Sequence, residues 1–248
     1  MTRLRLILAA AAVFSGAAAQ AQTAPAKWAD TISMEIDKAE IVGDSAKLAA
    51  ARALAERVAA AFPEDGLILH YHAYALYREA MSMVGRGGDA SSLLERAQSI
   101  FDKSLRLRPL AETHVLMSSI NGQFIAKDPS LGMELGMKSQ ASTAAALTIG
   151  PNNPRVWLIR GQGAIYTPEE YGGGLKTAEE FLKRAIDLFA KDAPKPGEPS
   201  WGKAEAHLWL GQVYLNGGNK AKATEEFKAA LSIAPDYGFA KAMLSAAK

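Results

Sequence analysis

Apolar residues recur along this chain three and four positions apart, in short stripes that end at glycine or proline, and the pattern predicts helices in consecutive antiparallel pairs. Trp28, Ile32 and Ile36 form one helical stripe, Gly43-Asp44-Ser45 supply a turn and cap, and an alanine-rich helix runs from about Ala46 to Ala61 before Pro63. The second pair places Tyr71, Tyr74 and Tyr77 on its first helix and Ala97, Phe101 and Ser104 on its second, ending at Pro109. In the third, Leu116, Ile120 and Phe124 form a stripe, Asp128-Pro129-Ser130 restart the chain, and Leu131 to Ile149 run to Pro151. The fourth opens on the cap and first-turn proline Asn153-Pro154 and carries Ala178, Leu182 and Ala185 on its second helix. The last sets Leu210, Gly211 and Tyr214 against Ala223 and Phe227 across Asn216-Gly217-Gly218-Asn219, and Phe239 with Met243 marks a short closing helix.

The prolines give a second, independent period. Pro63, Pro109, Pro151, Pro194 and Pro235 each close a helical segment, at intervals of 46, 42, 43 and 41 residues. Proline lacks an N–H and disfavours helical geometry in the residue before it, so it stops each second helix. A near-constant period of this length, in units that cannot bury their apolar faces alone, is the signature of a helical-repeat array.

Residues 204–237 carry the sharpest form of the pattern, with Leu210-Gly211, Tyr214, Ala223, Phe227 and Pro235 in the order and spacing of a tetratricopeptide (TPR) repeat. The stretch resembles that family, with His207 standing where the family has tryptophan. Trp157 and Gly161 keep the family's tryptophan and glycine in the fourth unit, where Arg160 and Ala164 depart from it. The resemblance implies an all-α, right-handed α-solenoid of about five TPR-like helix pairs with a C-terminal capping helix. A repeat of about 34 residues leaves roughly seven to twelve extra per unit, consistent with loops at Gly85-Arg86-Gly87-Gly88-Asp89 and Gly172-Gly173-Gly174 and with the proline-rich stretch Lys191 to Ser200, read as a stiff surface linker. The expected organisation is a signal segment at 1–21, a flexible lead at 22–27, and one repeat domain at 28–248. Its units lie near 28–63, 66–109, 111–151, 153–194 and 201–235, with a cap at 236–248.

Composition adds location. Arg3 and Arg5 precede the apolar run Leu6 to Phe14, and Ala17-Ala18-Ala19 or Ala19-Gln20-Ala21 offers a small-residue cleavage site, the layout of a secretory signal. The run is shorter than the roughly 20 residues a membrane span needs. With no cysteine in the chain, disulfides, thiol catalysis and cysteine metal sites are excluded. The 28 Lys and Arg against 26 Asp and Glu become 26 against 26 once Arg3 and Arg5 are removed, so no basic excess points to nucleic acid. These features predict an exported, periplasmic protein, with secretion as the other destination.

Candidate chemistry is sparse. His70 and His72 point about 200° apart on a helix, which spoils shared metal ligation, and His114 and His207 stand alone, so all four are read as structural. Met133 and Met137, one turn apart, are read as fillers of core gaps rather than copper ligands. The Gly85–Asp89 loop lacks a preceding strand and a following Gly-Lys-Ser/Thr and is read as a turn, not a phosphate cradle. Glu169, Glu170 and Tyr171 sit on an inserted loop without a third group to complete an acid/base set. No catalytic residue, cofactor or metal site is expected.

Binding is the better-supported class. By the resemblance, partners lie in a groove lined by the first helix of each pair, at Arg155, Leu158, Gln162, Ile165 and Tyr166 in the fourth unit and at Glu205, Leu208, Gln212, Leu215 and Asn216 in the fifth. The family's clamp for chaperone tails needs Lys and Asn where this chain has Leu158 and Leu208, Gln162 and Gln212, so a C-terminal carboxylate is not the expected ligand. The expected function is a non-catalytic scaffold of the bacterial cell envelope holding a protein or peptide segment. The alternative is a periplasmic component that binds a small ligand or metal, hydrolytic activity included, through the Tyr171 loop.

Overall fold

The computed structural model describes the backbone of residues 12–247 and the side chains of residues 24–247, so most of the expected signal segment lies outside the described residues. Among the described residues eleven α-helices follow one another: α1 (Ala12–Val42), α2 (Ser45–Ala61), α3 (Gly66–Val84), α4 (Ser91–Leu107), α5 (Ala111–Lys127), α6 (Gly132–Ile149), α7 (Pro154–Tyr166), α8 (Leu175–Phe189), α9 (Lys203–Asn216), α10 (Lys220–Ile233) and α11 (Gly238–Ala246). Single helical turns at Pro129–Leu131 and Glu169–Tyr171 occupy two of the connections, and no strand occurs among the described residues. Consecutive helices pack as pairs and the pairs stack, giving an α-solenoid. Residues 24–27, expected within a flexible lead, instead continue α1, which carries Pro25 inside it.

The helix starts follow the capping chemistry of the sequence. Asp44, Asp65 and Asn153 each accept hydrogen bonds from the first free backbone N–H groups of α2, α3 and α7. Within pairs, small residues admit large ones. A Cβ on Gly211 would lie 2.5 Å from Phe227 Cε1, and one on Gly161 would lie 2.6 Å from Leu182 Cγ. Glycine therefore permits the close approach of α9 to α10 and of α7 to α8 that buries Phe227 and Leu182 completely. Where His207 replaces the usual aromatic anchor, its Nδ1 shares a hydrogen bond with Glu226 Oε2 at 2.7 Å, so α9 and α10 are also joined by a polar link.

Two readings of the sequence change here. Met133 and Met137 are not core fillers: they are 84% and 63% exposed on α6, whose only buried residue is Ala146. The stretch Lys191 to Ser200 is not wholly a surface linker. Gly197 and Pro199 are buried, and the Gly197 N–H donates to Asp30 Oδ1 of α1 at 2.8 Å.

Candidate functional site

The first helices of the pairs, α1, α3, α5, α7 and α9, form the inner layer. α3 has almost no polar face: from Gly66 to Arg78 every residue is buried. At its C-terminal half stands Arg78, whose guanidinium pairs with Glu40 of α1 and donates from Nη1 to Glu205 Oε1 of α9 at 3.2 Å. Gln162 Nε2 of α7 donates to the same Glu205 oxygen at 2.9 Å, and the Trp209 indole N–H approaches it at 3.4 Å. Around this node Tyr74 stacks on Trp201 with centroids 5.0 Å apart, and Tyr77 shares a hydrogen bond with Ser119 of α5 at 2.9 Å. The start of α11 meets the end of α1, where a Cβ on Gly238 would lie 3.6 Å from the Val42 carbonyl oxygen. The two ends of the solenoid therefore touch.

Electrostatics make this node unusual. Asp37, Glu40 and Glu205 surround one guanidinium, leaving more negative than positive charge in a buried place. Burial raises Asp37 to about 6, opposed by Arg78 and assisted by Glu205. Burial likewise raises Glu40, against the attraction of Arg78. A proton held on this cluster near neutrality relieves the excess charge without breaking the Arg78 pairings. Arg155 has its own partner, donating from Nη2 to Asp192 Oδ2 at 2.6 Å while its guanidinium lies over Phe189 and Trp201.

The ten expected groove residues thus separate into two sets. Arg155, Leu158 and Leu208 are buried within the protein, and Glu205 and Gln162 are bonded to each other, Glu205 also taking Arg78 and Trp209, so five of the ten are internal structure. Toward the other end of α7 and α9 the surface opens. Tyr166 is 74% exposed and meets the Trp209 ring edge-on at 6.5 Å; Asn216 is exposed and accepts from Gln212 Nε2 at 2.7 Å; Ile165, Gln212 and Leu215 are half-buried beside them. Trp209, which the sequence reading passed over, is the largest side chain of this rim. Its signal was present, since it lies four residues after Glu205 and three before Gln212 and so shares their helix face.

His70 and His72 are buried in α3. His70 is fully buried, shares a hydrogen bond with Thr113 Oγ1 at 2.7 Å and is held by burial at about 3, hence neutral. Glu169 and Glu170 are exposed and Tyr171 is 74% exposed. No group of three histidine or acidic side chains able to hold a metal occurs among the described residues. Nor is any helix among them long and apolar enough to cross a membrane. Two open hollows of about 300 and 290 Å³ lie away from the rim, beside Tyr214 and beside Glu112.

Comparison with known proteins fits this geometry. Residues 204–237 match the tetratricopeptide repeat family, the same span that the spacing of Leu210 to Pro235 picked out. No curated protein sequence matches the chain significantly. Among solved structures, the chain is similar to the HusA haemophore from Porphyromonas gingivalis, at 24% identity and a TM-score of 0.63, covering 76% of this chain and 94% of that one. It is also similar to TTC0263, a thermophilic TPR protein from Thermus thermophilus, at 20% identity and a TM-score of 0.58, covering 82% and 91%. At these identities the likeness is one of fold: the described residues form a TPR-type α-solenoid.

Proposed function

We propose that the protein is a non-catalytic interaction scaffold of the bacterial cell envelope, exported by its N-terminal segment, and that it holds a partner protein at the rim formed by Tyr166, Trp209, Gln212 and Asn216. One observation supports this most: a large aromatic residue, Tyr166, stands mostly exposed and edge-on to Trp209 at 6.5 Å. Aromatic anchors of this kind supply much of the energy of protein interfaces at low entropic cost. The Gln212 and Asn216 amides supply donors and acceptors for a partner backbone. The deeper half of the groove does not take part, because Arg155, Leu158 and Leu208 are already covered.

The test is capture and loss. With a photoreactive residue in place of Gln212, the protein in its native host should yield one recurring protein adduct, and adding Trp209→Ala should abolish it while leaving the helical signal unchanged. A folded, exported sample giving no adduct, or an adduct indifferent to Trp209→Ala, would reject the rim and favour a small-ligand component instead.

A further inference from the structure

Between α7 and α8, two arginines make no ion pair among the described residues. Arg160 lies over the Trp157 ring at 4.4 Å and over the Phe181 ring at 4.0 Å, and Arg184 lies over the same Trp157 ring at 3.8 Å. Trp157 and Phe181 meet edge-on at 5.5 Å, and the Trp157 indole N–H is spent on the Pro151 carbonyl at 2.9 Å. Neither guanidinium makes an ion pair or a side-chain hydrogen bond among the described residues. α7 contains no carboxylate, Glu179 of α8 is held by Lys183 and Tyr214, Glu134 of α6 is held by Lys138, and the exposed Glu180 and Asp187, one turn before and after Arg184 on α8, pair with neither arginine. Arg160 Nη1 is buried without any acceptor, while the residue as a whole is only half-buried and Arg184 is exposed, so further N–H donors of both face solvent. Arg160 also stands where the last repeat has Leu210, a position that packing alone fills with an apolar side chain.

A close pair of like charges, one partly desolvated, is destabilising unless an anion completes it. Burial and the neighbouring Arg184 both act against the charged form of Arg160. Stacking holds the planes of the guanidiniums against the rings and leaves their N–H edges free, the arrangement in which arginine grips a planar or tetrahedral oxyanion. We propose that Arg160 and Arg184, stacked on Trp157 and Phe181, form a binding site for an oxyanion of the phosphate type, either a free phosphate compound or a phosphate-bearing lipid headgroup.

The experiment follows the Trp157 indole resonance of the full mature chain during titration with inorganic phosphate at constant ionic strength, with acetate for comparison. Phosphatidylglycerol vesicles, against neutral phosphatidylcholine vesicles, form the second arm. The variant is Arg160→Leu with Arg184→Gln, which restores the last repeat's residue at the first position and so keeps the fold, as circular dichroism will verify. A saturable phosphate shift, roughly tenfold stronger than with acetate and weakened about tenfold or more in the variant, supports a free-phosphate site. Variant-sensitive retention on phosphatidylglycerol vesicles alone supports the lipid source. Absence of both in the wild type, or equal responses from the variant, overturns the proposal.

Discussion

Replacing Arg78 by methionine tests whether the inner face is closed by the contacts described. The side chain is 6% exposed and is the cation paired with Glu40 and Glu205, with Asp37 close by. Methionine fills much of the same volume but leaves those carboxylates facing each other. Removing one partner of a buried ion pair costs about 3–5 kcal/mol, because the remaining charge is left uncompensated. In a domain of this size each kcal/mol lowers the melting temperature by about 2–4 °C, so a loss of roughly 10 °C is expected at pH 8. The loss should shrink toward pH 5, where the orphaned carboxylates take up protons and the repulsion disappears. Thermal melts and urea unfolding, both followed by far-ultraviolet circular dichroism at the two pH values, measure the fall in melting temperature and the loss of free energy. A loss below about 1 kcal/mol at pH 8, or one equal at both pH values, would refute the clamp and place α1 loosely on the inner face.

Further outcomes follow from the same contacts. Asp37 has a folded pKa raised from 3.8 to about 6, so the folded state binds the extra proton; its stabilising contribution is complete below the unfolded value and is lost as pH rises through 6, about 2–3 kcal/mol in all. Asp37→Asn should therefore stabilise the protein at pH 8, little at pH 4, and flatten the pH profile in urea titrations; an unchanged profile contradicts the burial of Asp37. Phe227→Ala, at a fully buried ring, should cost about 3–5 kcal/mol, while Gly211→Ala should cost roughly 1–3 kcal/mol by forcing α9 away from that ring, both read from thermal melts. Tyr166→Ala should shift stability by less than about 0.5 kcal/mol while removing partner capture, and a large loss of stability would mean that the ring is structural.

The repeat architecture was legible because each helix pair keeps its own local rules. Gly211 with Phe227 and Gly161 with Leu182 are pairings within single units, and their spacing declares them. The closure of the inner face was not legible, since it joins Glu40, Arg78 and Glu205 from three units distant in sequence, and each is an ordinary charged residue on its own helix. One hint was available: Leu67 to Tyr77 has no polar stripe, and a helix apolar all round is buried, so Arg78 at its edge needed partners. The two methionines misled for the opposite reason. α6 is apolar on several faces, and periodicity cannot say which face is covered when nothing packs on the other. Half of the expected groove is internal for the same kind of reason: Arg155 pairs with Asp192 beside Phe189 and Trp201, and Glu205 with Arg78 and Gln162, partners far away in sequence.

The most direct measurement is photo-crosslinking from two positions compared in the native host, Gln212 on the open rim and Leu208 beneath it. A recurring protein adduct that Trp209→Ala removes is expected from position 212, and only internal crosslinks within the chain from position 208, because that side chain is buried. A protein adduct from position 208, or none from position 212 in folded and exported protein, would contradict the rim as the binding surface.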